Sequence, residues 1–550
     1  MFNFKNISIS KVIKYLSLSI LVLLIGIFFM SKKENLDIDE MYTYGLANNS
    51  FQLDFEEFKE YSGQELLLKY AAANDKTAFN AGNVIFNQTM DTHPPLYYFL
   101  VNFICSLNKN TFSMWFGLII NLIFMIVIFW ELRYLLYIIT SDYPLSTTIT
   151  LLSFFTYGFI NNFVFTRMYV MLSAISLAFI ILIINKIETL DADSKIDFKF
   201  IVKYFCLCLV GVLTQYHFAL VAAFFSVVFA VTLIYKKKYK LLMLTFISGL
   251  LSLIISYLIF PGMLNHILGG GSLHAITNTD TLSFSNKVSE LAATVYTAFF
   301  NLGFVYNKNY YVPTSLIIYG IVIVCGIVLY LIKNKSEIKN FISANKLYFV
   351  FLIFTVYYFI IIAYLSQFSF ARYLYNIYPI IVILIITPIY SLYKSFNPKL
   401  KYISVLMIFV LCLFTTYNTK APFSLNKGDE TFRQYLLSNK NVKTIFLYRT
   451  YDQNGNMNTM GTTSLWKVPR PLYLFRDMEN ISLIDISDAN KIPDLKDERV
   501  TGKDDIILLI FTTENDNRYI NQIMQVNNVR SADKLYFTTY YHIYRLKSPS

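Results

Sequence analysis

Stretches of roughly 17 to 25 apolar residues, the length that carries a helix across about 30 Å of hydrocarbon, recur from residue 12 to residue 418. They predict spans at 12–30, 113–137, 146–165, 168–185, 199–216, 217–234, 241–260, 312–332, 347–365, 374–393 and 402–418. The first is long, lacks a small-residue cleavage pattern and is followed by many others, so it predicts a retained helix. Segments 94–107 and 288–306 are apolar but short or diluted by polar residues, and are assigned to the outer interface. Beyond 418 the pattern changes. Strand-length runs appear at 442–448 and 505–511, with an alternating run at 535–544, separated by helical stretches near 431–439 and 516–525. The organisation predicted is a transmembrane domain over 1–418, with its first outer loop at 31–92, and a small α/β domain over 419–550.

Composition agrees with a polytopic α-helical membrane protein: of 550 residues 55% are hydrophobic and 15% charged, and the mean hydropathy is +0.48. The net charge of +12 does not imply a nucleic-acid partner, because the lysines fall at alternate loops. Lys5, Lys11 and Lys14 precede the first span; Lys236, Lys237, Lys238 and Lys240 make one short loop, Lys333, Lys335 and Lys339 another, and Lys394, Lys399 and Lys401 a third. With all of these facing the cytoplasm, the chain has about eleven spans, a cytoplasmic N-terminus and an extracytoplasmic C-terminal domain. Counting 94–107 as a crossing would put Lys236–Lys240 on the other side. The five cysteines sit in apolar segments without a CxxC pair, which argues against structural disulfides and zinc.

On this topology, four polar motifs share the outer face: the acidic loop 31–92, Thr166-Arg167-Met168-Tyr169, Gln215-Tyr216-His217 and Ala371-Arg372-Tyr373. Asp39 and Glu40 follow the first span, and a carboxylate at the membrane surface either is simply solvated or takes a proton from an acceptor hydroxyl or amine. Arg167 and Arg372 stand at helix ends, where a guanidinium snorkels or grips phosphate oxygens in a bidentate fork. The run Asp91-Thr92-His93-Pro94-Pro95 holds an acid and an imidazole beside a rigid turn, although proline at a helix start is also ordinary. Gly269-Gly270-Gly271, flanked by His266 and His274, reads as a flexible lid or a connector before it reads as a metal site. The C-terminal domain carries no Gly-rich phosphate loop or nucleophile elbow, which leaves it a docking or acceptor-handling role.

The order of an acidic pair after the first helix, then DTHPPLYY, TRMYVML, QYHF and ARYLY, resembles the GT-C membrane glycosyltransferases over about 10–420. The branch resembled contains the protein O-mannosyltransferases and the lipid A aminoarabinose transferase. The resemblance implies an integral membrane glycosyltransferase that moves a sugar from a polyprenyl-phosphate donor to an acceptor lipid, protein or cell-wall glycan outside the membrane, typically with inversion. It implies Asp39 as the catalytic carboxylate, acting as general base, with Glu40 beside it, and His93, Arg167, Tyr169 and Arg372 around the donor phosphate, supported by Asp91, His217 and Tyr373. There is one departure. Relatives often carry an acid shortly before Arg-Met-Tyr, where this chain has Asn161-Asn162-Phe163-Val164-Phe165-Thr166. A divalent metal ion is therefore left open, with Asp91 or the asparagines as substitutes. The competing class is a lipid or polysaccharide transporter or flippase, which calls for ionisable residues within spans; Glu131 and Arg133 are the residues it would use.

Overall fold

The computed structural model describes residues 9–50, 52–190, 197–268, 283–300, 346–365, 371–396, 429–450, 465–487, 505–511, 520–521, 524–525, 531–538 and 541–547. The predicted spans 312–332 and 402–418, the triple glycine with His274, the lysines at 333, 335, 339, 399 and 401, and most of the helical stretch 516–525 lie outside them.

Among the described residues, six helices are long and apolar enough to cross a membrane: Val12–Met30, Trp115–Thr140, Tyr169–Thr189, Phe218–Tyr235, Tyr239–Ile259 and Lys346–Leu365. The chain is a polytopic α-helical membrane protein with a small C-terminal sheet. Helix Tyr169–Thr189 is the central one. It is 72% buried, against 11% for the first helix, whose Val12, Leu16, Ile20 and Leu24 are exposed as lipid-facing side chains would be. The two segments expected at the outer interface are helices, Leu96–Ser106 and Phe284–Phe300.

The predicted span 146–165 is two helices, Tyr143–Ser153 and Tyr157–Val164. Thr156 leaves helical geometry at ψ 148°, and its hydroxyl donates to the Ser153 carbonyl at 2.7 Å. Packing supplies the reason for the break: Phe154 meets Phe129, Phe159 and Phe163, while Phe155 turns its ring edge to Phe29. Edge-to-face and stacked contacts of this kind add about 0.5–1.5 kcal/mol each beyond area burial, enough together to outweigh one or two lost helical hydrogen bonds. The predicted span 374–393 likewise begins with a 3-10 helix, Ala371–Ile377, before the helix Tyr378–Phe396.

The chain divides into two compact units: Met1–Ser31, Thr92–Tyr97 and Leu118–Pro422 form the first, and Lys32–Asp91, Tyr98–Gly117 and Phe423–Ser550 the second. The second holds a five-stranded sheet of order β2-β1-β3-β5-β4, with β1 at Lys443–Tyr448, β2 at Ile481–Asp485, β3 at Ile506–Ile510, β4 at Ser531–Phe537 and β5 at His542–Lys547. Strands β2, β1 and β3 are parallel and almost wholly buried, and apart from Thr444 and Ser482 their buried residues are apolar, as in buried parallel strands; β5 and β4 add antiparallel. The run 535–544, expected as one strand, instead holds the end of β4 and the start of β5, and between them Thr538 and Tyr541 exchange hydrogen bonds at 3.0 Å.

The long loop after the first helix belongs to this second unit. Tyr61 pairs antiparallel with Ile481 through bonds of 2.9 and 2.7 Å, covering the free edge of β2. Glu57 accepts from the Tyr448 hydroxyl and from the Asp485 amide, and Lys443 pairs with Glu60 at 2.8 Å. Gly63 sits where a Cβ would overlap the Phe475 carbonyl oxygen, so only glycine fits.

Candidate functional site

In the first unit, the short helix Tyr157–Val164 ends beside a polar residue of a span. Asn121, fully buried, donates from one amide to the carbonyls of Phe163 at 3.0 Å and Phe165 at 2.8 Å, while its carbonyl oxygen accepts from Tyr97 at 3.2 Å. These bonds satisfy carbonyls left open at the helix end and fix the turn that carries Arg167. Arg167 is 4% exposed, and its Nη2 lies 3.5 Å from Nε2 of His93. A guanidinium cannot accept, so it donates and the imidazole nitrogen accepts. Pro94 and Pro95 stiffen the turn behind His93.

The 3-10 helix Ala371–Ile377 brings the last motif to the same unit. It is tied down by Tyr358, whose hydroxyl donates to the Tyr373 carbonyl at 2.9 Å, and by Ser173, whose hydroxyl donates to the Tyr375 carbonyl at 3.3 Å. The Tyr373 ring meets His217 edge-on at 5.5 Å, and Arg372 lies 5.8 Å from the Tyr373 ring centroid. Tyr169 packs between Phe165 and Tyr375. The His217 imidazole is pushed down to about 4 by burial and then by the neighbouring His93, so it is neutral at physiological pH. Its Nδ1 is sealed from solvent without a hydrogen-bond partner among the described residues. His93, Arg167, Tyr169, His217, Arg372 and Tyr373 thus gather from four distant motifs into one cluster that carries two arginine cations and a neutral imidazole.

In the second unit the helix Ile38–Asn48 opens with a capping box. Asp37 accepts from the Asp39 amide at 3.1 Å, and Glu40 reaches back to the Asp37 amide at 2.9 Å. Glu40 also forms an ion pair with Lys33 at 2.9 Å, with both side chains wholly buried. Glu40 is therefore committed to holding the helix start, and Asp39 is the partly exposed acid of the pair. Asp91 accepts from Tyr98 at 3.3 Å. Burial, Tyr70 and the negative charges of Asp39 and Asp91 hold the Tyr42 phenol well above its ordinary range, so Tyr42 keeps its proton and stays a donor. Arg470 acts on the same phenol in the opposite sense and lies 3.6 Å from Asp37.

Sequence reasoning overlooked Asn121, Tyr42, Lys467 and Arg470. A lone asparagine in the apolar span 113–137, and two basic residues three apart, the second between Pro469 and Pro471, were the available signals. Among the described residues, no group of three or more His, Cys, Asp and Glu side chains is arranged to hold a metal ion.

The chain aligns with the crystal structure of ArnT from Cupriavidus metallidurans in the apo state over 97% of both chains, at 9% sequence identity and a TM-score of 0.50. The fold is that of ArnT. The structure of ArnT from the same organism bound to undecaprenyl phosphate aligns over 98% of both chains, at 8% identity and a TM-score of 0.49. The GT-C architecture expected from the ordered motifs is the one ArnT presents. No protein-family model and no curated protein matches the chain.

Proposed function

We propose that this protein is a membrane glycosyltransferase that moves a sugar from a polyprenyl-phosphate donor to an acceptor outside the membrane, with the C-terminal domain on that side. The observation that carries the reading is the buried Arg167, held by the Asn121-capped turn with His93 on its guanidinium at 3.5 Å. A cation fixed this way suits a phosphate whose charge grows as the sugar departs. The ArnT fold and the ordered motifs support the same class.

In this reading Asp39 removes the proton from an acceptor hydroxyl or amine, and the freed lone pair attacks the anomeric carbon as the bond from that carbon to the phosphate oxygen breaks. The configuration inverts, the proton remains on Asp39, and polyprenyl phosphate leaves with its charge steadied by Arg167 and Arg372. His93 aligns the Arg167 fork, and the neutral His217 packs against Tyr373 without adding a competing charge. No step is assigned to a metal ion. Arg133, the residue a transporter would need, is stacked 3.6 Å from the Tyr143 ring centroid and bonded to Thr147 at 2.8 Å, which is a structural engagement.

The test is sugar transfer in membranes with a panel of radiolabelled polyprenyl-phosphate sugars, comparing wild type with Asp39→Asn and Arg167→Gln at equal expression. Transfer lost in both variants supports the assignment. Transfer by Asp39→Asn at the wild-type rate moves the base elsewhere, and loss on changing Glu131 while Asp39 is dispensable overturns the enzyme reading.

A further inference from the structure

Within the first unit, the start of the first span packs against the far end of the helix Trp115–Thr140. The Trp130 indole donates to the Ser19 hydroxyl at 3.1 Å, and Tyr15 meets the Trp130 ring edge-on at 5.0 Å. One turn further on, Arg133 is 6% exposed. Its guanidinium carbon lies 3.6 Å from the Tyr143 ring centroid and 5.0 Å from that of Trp130, and its Nε donates to the Thr147 hydroxyl at 2.8 Å. Its Nη2 is buried and makes no hydrogen bond among the described residues. Lys14, which is exposed, places Nζ 4.7 Å from the centroid of the same Tyr143 ring. Among the described residues neither cation forms an ion pair. Of the nearby acids, Asp142 caps the next helix by accepting from the Leu145 amide at 3.0 Å, and Glu131, two positions from Arg133, leaves the helix on another side. An aromatic ring attracts a cation without neutralising it, so two positive charges gathered on one ring carry a cost that an anion offsets. The surroundings suit a lipid. Ile13, Leu16 and Ile20 of the first span are exposed, and Tyr137 meets Tyr143 edge-on at 5.9 Å, in the manner of an aromatic belt at headgroup depth.

We propose that Lys14 and Arg133 hold the phosphate of an anionic phospholipid, with its acyl chains along the first span. Thr147 and the two rings fix the Arg133 fork, while the flexible arm of Lys14 gives way to admit the headgroup. The first span is only 11% buried, the least of the six, so a phosphate shared between Lys14 and Arg133 ties it to the rest of the bundle. With the basic loops on the cytoplasmic side, the site lies in the leaflet whose anionic lipids attract such pairs.

Delipidated full-length protein in detergent is titrated with a phosphatidylglycerol and a phosphatidylcholine of identical chains, and bound lipid is counted by native mass spectrometry. Wild type prefers phosphatidylglycerol, and the tightest-bound copy raises its thermal midpoint. Lys14→Gln weakens that copy about fivefold, the worth of one basic residue at an anionic surface. Arg133→Gln weakens it about tenfold, the scale of one charge-assisted hydrogen bond, and Arg133→Lys, which keeps the charge without the fork, falls between wild type and Arg133→Gln. Lys240→Gln, in a different basic loop, leaves it unchanged. Lys14 is exposed, so its variant folds as wild type does and decides the matter even where an Arg133 variant is destabilised. Equal affinity for the two lipids, or unchanged affinity in Lys14→Gln, overturns the proposal. Displacement of the bound copy by inorganic phosphate makes the free anion the ligand and overturns the assignment to a lipid.

Discussion

Acid should loosen this protein through one imidazole. His217, ordinarily near 6.5, is held at about 4 by burial and by the nearby His93. Between those values the unfolded chain takes up a proton that the folded protein refuses. The contribution is therefore nil above the unfolded value, grows as a destabilisation while pH falls through 6.5, and levels off near 4. At about 1.4 kcal/mol for each pH unit, stability drops by ~2 kcal/mol on going from neutral pH to 5, and by ~3 kcal/mol at 4. The assay is thermal unfolding of the full-length protein in detergent, followed by intrinsic fluorescence from pH 7.5 to 4.5, for wild type and His217→Gln. Each protein is compared with itself at pH 7.5. Wild type should lose a few degrees more than the variant by pH 5, and His93→Gln should fall between them because one of the two causes is removed. Parallel profiles for wild type and His217→Gln would refute the argument.

Three further outcomes follow from the geometry. Glu40→Gln leaves Lys33 buried without its counter-charge and should cost about 3–5 kcal/mol, read as a lowered unfolding midpoint, whereas Asp39→Asn should keep the midpoint and abolish transfer. Gly63→Ala forces a Cβ into the Phe475 carbonyl and should lower the yield of folded protein, with limited proteolysis cutting within 52–63. Asn121→Ala releases the carbonyls of Phe163 and Phe165 and should lower transfer at least tenfold while the protein stays in the membrane, since a turn misplaced by about 1 Å costs on the order of 100-fold.

Hydrophobic run length was enough to place the helices 12–30, 218–235 and 346–365, because a bilayer imposes one length on every crossing. It could not reveal the break at Thr156. The run from Phe154 to Phe165 carries no proline and reads on as span-length sequence, and the break is decided by which aromatic rings lie opposite it. The β4–β5 turn was hidden for a similar reason, since no glycine or proline marks it and the alternation of 535–544 continues across it. His93, Arg167 and Arg372 were legible as motifs, but the contact between His93 and Arg167 spans 74 positions that no periodicity links. Asp39 and Glu40 looked equivalent as adjacent acids. The spacing Asp37-Ile38-Asp39-Glu40 carried the signature of a capping box, and that signature separates the acid that closes the helix start from its partly exposed neighbour.

The pairing of Tyr61 with β2 also sets a schedule. Ile481 lies 420 residues after Tyr61 (481 − 61), so at about 5–20 residues per second the ribosome needs roughly 20–85 s between releasing one and the other. For that interval the segment 52–63 waits without the strand it will join, while most of the spans are made. A cell producing this protein therefore has to shelter an unpaired strand for longer than many whole domains take to fold. Mutations that slow synthesis of the intervening spans should show first as proteolysis of that segment.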